Sequence, residues 1–288
     1  MYYKVLGLEK EPFSTSPDPE FFYLSREHEL ALTNTLIELH LKRGLTVILG
    51  DVGTGKTTLS RKLIQELKER DEFVLYIVLN PSFENEHAFF TTLARGFDIN
   101  PPNYAAMSAM EISESVERFL FQKGIAEGKT VTLIIDEAQK LSDMSLECLR
   151  LLLNYETNEF KLLQLVLLGQ VELYGRIKSI PNFYDRISFR YTLNPLGYEE
   201  TKEMIEFRIR QAGFKVHTHL FLDEAIKEIY RYSGGYPRKI TMLCHKLLKE
   251  MVMRSKFVVD KHSVEKMMAN EEYPGCFKED ILLQKNNY

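Results

Sequence analysis

The stretch Gly50-Asp51-Val52-Gly53-Thr54-Gly55-Lys56-Thr57-Thr58 constrains this chain more than any other. It fits G-x-x-x-x-G-K-[ST], with Gly50, Gly55, Lys56 and Thr57 at the fixed positions. The glycines matter because backbone N–H groups must turn inward and approach phosphate oxygens closely, in conformations that a Cβ penalises. Lys56 supplies a point charge for β- and γ-phosphates, and the Thr57 hydroxyl is a ligand for Mg2+. The flanks agree. Leu45-Thr46-Val47-Ile48-Leu49 reads as a short buried strand, and 58–67 has the apolar spacing of a helix whose N-terminus faces the anion. The segment is therefore expected to cradle the phosphates of a nucleotide.

Further strands are predicted over 73–79, 131–135, 162–168 and 187–193, with 73–79 read as a second buried strand. Between them fall helical periods: one capped by Ser25 and running to about Arg43, then 85–97, 111–127 and 145–157. Such alternation predicts an α/β chain with a parallel sheet covered on both faces. Asn194-Pro195-Leu196-Gly197 interrupts the pattern, and everything beyond reads as helix, over 198–212, 221–232, 237–254 and 261–270. The expected division is an aromatic N-terminal strap over 1–26, a core over 27–195, a helical domain over 196–270 and a tail over 271–288. The strap holds Tyr2, Tyr3, Phe13, Phe21, Phe22 and Tyr23, broken by Pro12, Pro17 and Pro19. So many aromatics are not left in solvent.

Composition excludes more than it identifies. The three cysteines, Cys148, Cys244 and Cys276, are widely separated and form no C-x-x-C, which argues against a disulfide framework or zinc site and fits a reducing compartment. No apolar run approaches transmembrane length, and Lys4, Glu9, Lys10 and Glu11 are unlike a signal peptide. A cytoplasmic location is expected, with peripheral docking at an inner membrane left open. The net charge of −4 says nothing about a polyanionic partner at whole-chain level.

Phosphate binding alone does not separate a kinase from a hydrolase. Val131-Thr132-Leu133-Ile134-Ile135-Asp136-Glu137-Ala138 is an apolar strand ending in two carboxylates. Asp136 at the strand end can hold Mg2+ through its shell, and Glu137 can polarise a water for attack on a γ-phosphate. A metabolic kinase does not need Glu137; a hydrolase does. Gln170, following the 162–168 strand, can orient that water or simply be a satisfied strand-end amide. In Ser233-Gly234-Gly235-Tyr236-Pro237-Arg238 the glycines make a turn, Pro237 takes the first helical position, and Arg238 projects from the helix start, either towards a γ-phosphate or into solvent.

The phosphate loop, Asp136-Glu137, Gln170 and Gly234-Gly235-x-Pro237-Arg238, in this order, resemble an AAA+ ATPase. Pro17-Asp18-Pro19-x-Phe21-x-Tyr23-Leu24-Ser25, Ile135-Asp136-Glu137-Ala138-Gln139-x-Leu141, Leu149-Arg150-Leu151-Leu152-x-Asn154-x-Glu156-Thr157 and Leu168-Gly169-Gln170-x-Glu172-Leu173 are similar to the general secretion pathway protein A (ExeA) family. The resemblance spans about residues 1–255. It implies a P-loop NTPase of AAA+ type, with a five-stranded αβα core and an all-helical C-terminal lid. It further implies conversion of ATP and water to ADP and phosphate, with Mg2+, and an ATP-driven homo-oligomer, a ring or a stack. The client is then an envelope-assembly system for secretion, pili or polysaccharide export. By resemblance Gln170 is the first sensor, Arg238 the second, and Tyr23 and Leu24 contact adenine. Arg186 or Arg190 is the arginine finger supplied in trans. Arg186 is favoured for that role because it precedes its strand and is expected to point freely across an interface. The pattern departs from the family at Val171, where proline is usual. The chain also stops near 288, where many members continue into a membrane span and a peptidoglycan-binding domain.

A second reading is a duplex-DNA-binding AAA+ ATPase resembling transposition target selectors (TnsC and TniB types). Its support is the basic C-terminal set Lys239, Lys246, Lys249, Arg254, Lys256, Lys261 and Lys266, with Arg208, Arg210 and Lys215.

Overall fold

The computed structural model describes residues 1–14, 16, 18–100, 103–215 and 219–269. Strands β1 (Leu45–Gly50), β2 (Phe73–Val78), β3 (Thr130–Ile135), β4 (Leu163–Gly169) and β5 (Ile187–Leu193) form one sheet. The first helices are α1 (Tyr2–Val5), α2 (Arg26–His40), α3 (Lys56–Lys68), α4 (Glu86–Gly96), α5 (Ala109–Phe121) and α6 (Asp143–Leu152). They are followed by α7 (Glu172–Lys178), α8 (Pro181–Tyr184), α9 (Tyr198–Gln211), α10 (Asp223–Ser233), α11 (Pro237–Met253) and α12 (Lys261–Ala269).

By contacts the chain divides into two units: Arg26–Val52 with Lys56–Asn194, and Met1–Ser25 with Gly53–Gly55 and Pro195 onward. The first unit holds the sheet, all parallel, in the order β2-β3-β4-β1-β5. β1, β3 and β4 are buried along their whole length, as continuous Val/Ile/Leu runs require. The Gln164 side chain inside β4 is satisfied, accepting from Gly44 N (2.8 Å) and donating to Lys161 O (2.7 Å). The second strand differs from expectation: β2 lies at the sheet edge and is only half-buried except at Val78. An apolar run does not reveal whether a strand has one neighbour or two.

Local chemistry sets the helix ends. A reciprocal Ser108–Glu111 capping box starts α5, and the Ser142 hydroxyl accepts from Ser145 N to start α6. The single helix expected over 111–127 ends at Phe121 and continues as a π turn over Gln122–Ala126. α1, α7 and α8 are too short for periodicity to predict.

The second unit packs α9–α12 around Ile205, Ile229, Ile240, Leu243, Leu248 and Val264. Phe13, expected in a separate strap, is fully buried in this same core. Arg208 of α9 is buried beneath the N-terminal segment, donating to Pro12 O (2.7 Å) and Ser14 O (2.9 Å) beside the Phe13 and Phe21 rings. Desolvation lowers its pKa to about 10. At the turn into α11, a Cβ on Gly235 would sit 2.1 Å from Leu196 O, and Gly235 has φ of 76°. Both facts admit only glycine. The tail over 271–288, with Pro17 and Cys276, lies outside the described residues.

Candidate nucleotide site

β1 ends at Gly50, and α3 begins at Lys56 with Leu59, Leu63 and Leu67 buried on one face. Gly53 and Gly55 take left-handed backbone (φ 88° and 103°), the inward-turned geometry that a phosphate loop demands. Asp51 and Val52 are exposed, while Thr54 is buried. Lys56 is only 7 % exposed, and its ammonium donates to Gly50 O (2.6 Å) and Asp51 O (2.9 Å). Burial pushes its pKa down, and the neighbouring Glu137 and Asp136 carboxylates oppose that shift. Thr58 lies in the first turn of α3.

Asp136, at the C-terminal end of β3, is 2 % exposed. Its carboxylate accepts from Glu137 N (2.9 Å) and from the Thr57 hydroxyl. Desolvation raises its pKa, and those two hydrogen bonds pull the other way. Thr57 and Asp136, far apart in sequence, thus touch. Both offer hard oxygen donors, the set that suits Mg2+. Glu137 follows with φ of 52°, a left-handed conformation that costs a non-glycine residue on the order of 1–3 kcal/mol. Its carboxylate accepts from Gln139 Nε2 (2.6 Å).

β4 pairs with β1, so Gln170 stands beside the phosphate-loop strand, and its N–H donates to Gln139 Oε1 (3.1 Å). Arg186 departs from expectation. Instead of pointing freely outward, its guanidinium donates to Asn182 O (3.0 Å), Leu153 O (2.8 Å) and Asn154 Oδ1. The carbonyls ending α6 and starting α8 claim it, and no sequence signal announces them. Arg190 is the freer of the two: exposed on the β5 edge, with its guanidinium 4.3 Å from the Tyr174 ring centre.

In the second unit, Tyr23 OH donates to Glu203 and its ring lies against Phe207, while Leu24 is 38 % exposed. Arg238 is exposed in the first turn of α11, and its N–H donates to Gly53 O (3.2 Å) within the same unit. Sequence reasoning missed Gln139, Tyr174 and Arg176 as site neighbours. Gln139 stands in the Asp-Glu-Ala-Gln run, but its direction follows from the turn that Glu137 initiates.

Residues 39–177 match the model of the AAA domain family. The fold is also that of a Cdc6p structure from Pyrobaculum aerophilum, with a TM-score of 0.67 at 18% identity over 94% of this chain and 73% of that one. The Aeropyrum pernix ORC2 protein gives a TM-score of 0.62 at 17% identity over 88% of this chain and 69% of that one. With the parallel sheet and the phosphate loop, these likenesses make the chain an AAA+ protein. Within that class it belongs with general secretion pathway protein A: it is 36% identical to that protein from Aeromonas hydrophila over 250 residues, 86% of this chain. The match covers 44% of the relative's length, so the chain spans less than half of it. An uncharacterized ATP-binding protein of Methanocaldococcus jannaschii is 25% identical over 71% of this chain and 66% of its own. Among the described residues, no helix is long and apolar enough to cross a membrane.

Proposed function

We propose that the chain hydrolyses ATP to ADP and phosphate, using the cycle as an oligomerising switch in an envelope-assembly system of the secretion type. The observation that carries this reading is the cluster of Lys56, Thr57, Asp136 and Glu137 at adjacent ends of α3 and β3. Loop N–H groups and the Lys56 ammonium bind the β- and γ-phosphates. Thr57 and Asp136 hold Mg2+, which supplies neutralisation of phosphate charge when bound. Glu137 accepts a proton from the attacking water, and Gln170 helps orient that water. Arg238 senses the γ-phosphate, and Leu24, the more exposed of its pair with Tyr23, contacts adenine. Assembly into a ring or stack supplies an arginine in trans, and Arg190 replaces Arg186 as the candidate. Docking at the inner membrane through a partner belongs to the same reading.

The duplex-DNA reading loses ground. Arg208 is buried, and Arg254, Lys256 and Lys261 pair with Glu250, Asp260 and Glu265 on their own segments. Glu137→Gln tests the main reading. It is expected to keep the thermal stabilisation by ATP and Mg2+ while losing about 10²–10⁴ in turnover. Near-normal turnover, or strong stimulation of the wild type by duplex DNA, would overturn the secretion-type hydrolase.

A further inference from the structure

We propose that Gln139 is a positioning residue for hydrolysis, its amide holding the Glu137 carboxylate against the end of β4. The inference rests on the reading of Glu137 as the group that accepts the proton. The Gln139 amide bridges two partners: its Oε1 accepts from Gln170 N (3.1 Å) and its Nε2 donates to Glu137 Oε2 (2.6 Å). Its orientation is unambiguous. A backbone N–H can only donate, so the amide oxygen must face Gln170, and the nitrogen is left facing a carboxylate, which when ionised can only accept.

The surroundings make room for this amide and pin it. Gly169 closes β4, and a Cβ there would fall 3.3 Å from both the N and Oε1 of Gln139. That is closer than ordinary van der Waals contact, so a larger residue would crowd the amide, as it would Leu173 Cδ2 at 2.7 Å. Arg176 of α7 fixes the backbone, donating to Gln139 O (3.0 Å) and to Asp143 Oδ1 (2.6 Å). Glu137 itself sits in left-handed backbone, so its main-chain direction is set before its side chain is placed. With Oε2 held by Gln139, one oxygen of the carboxylate is engaged and the other is presented for a water proton. A displacement of about 1 Å in such a group costs about 10²-fold in rate. The same amide links Glu137 to the main chain of Gln170, so movement at the end of β4 is felt by the carboxylate directly.

Steady-state ATPase assays on the full chain with Mg2+–ATP test this. Gln139→Ala is expected to lower kcat about 10²-fold, with KM and the ADP-dependent thermal shift unchanged. Gln139→Glu keeps the shape and the acceptor for Gln170 N–H but sets a second carboxylate beside Glu137. It removes the Nε2 donor to Glu137, so its kcat should fall about as far as in Gln139→Ala, with KM again unchanged. A merely structural glutamine would lower the melting temperature while leaving kcat per folded molecule unchanged. A kcat within twofold of wild type in either variant, or a faster Gln139→Ala, would overturn the proposal. Those outcomes leave Glu137 untouched if Glu137→Gln is inactive. Normal turnover in Glu137→Gln would instead remove the reading on which the proposal stands.

Discussion

The centre of the sheet and its two edges differ in burial and in what stands at their ends. β1, β3 and β4 are buried throughout, and the chemical groups follow their C-terminal ends: Lys56 beyond β1, Asp136 and Glu137 beyond β3, Gln170 beyond β4. β2 is half-buried, and β5 alternates, with Ser188, Arg190 and Thr192 exposed between Ile187, Phe189 and Tyr191. Burial at the centre supplies a rigid, dry frame in which charges shift their pKa values. The β5 edge keeps an arginine within reach of solvent, and so of another copy of the chain.

The largest effect that tests this contrast concerns the edge. If Arg190 is the trans finger, Arg190→Ala should fold and bind ATP normally yet lose about 10³-fold or more in hydrolysis. Mixing it with Glu137→Gln subunits should restore part of the activity, because one interface then pairs an intact Glu137 with an intact Arg190. Activity per subunit that is independent of concentration, with no rescue, would break the comparison.

At the centre the expected loss is stability. Leu167→Ala, in fully buried β4, should cost about 2–5 kcal/mol by urea unfolding. Val74→Ala in half-buried β2 should cost about 1 kcal/mol. Equal losses would mean that the edge is covered in solution. Arg186→Ala, which removes the bonds to Leu153, Asn154 and Asn182, should cost about 1–2 kcal/mol while leaving turnover per folded molecule unchanged.

The smallest effect is at Asp136. Burial raises its carboxyl above the unfolded value, so its contribution to stability is present at low pH and lost as pH rises through the raised value. Without nucleotide, Asp136→Asn should therefore melt slightly higher than wild type at neutral pH. The gap should close as the medium is acidified through that value. A constant gap in melting curves across that range would mean that Asp136 is not strained by desolvation.

Much of this was legible beforehand where one local rule sufficed. The 187–193 strand, the phosphate loop and the Asp136-Glu137 strand end each follow from a pattern of adjacent residues. The edge position of β2 was not, because an apolar run is the same whether one or two strands flank it. Nor was the attachment of Phe13 to the helical core, which depends on Arg208 and its two distant carbonyls.

By itself the sequence determined the class of fold and the phosphate-loop motif, since alternating elements and glycine-dependent turns are written in short windows. Only the tertiary structure decided which polar groups meet. It spends Arg186 on its own chain, leaves Arg190 at an edge and brings Gln139 onto Glu137. Side-chain hydrogen bonds depend on direction as well as distance, and direction is set by elements that converge from far along the chain.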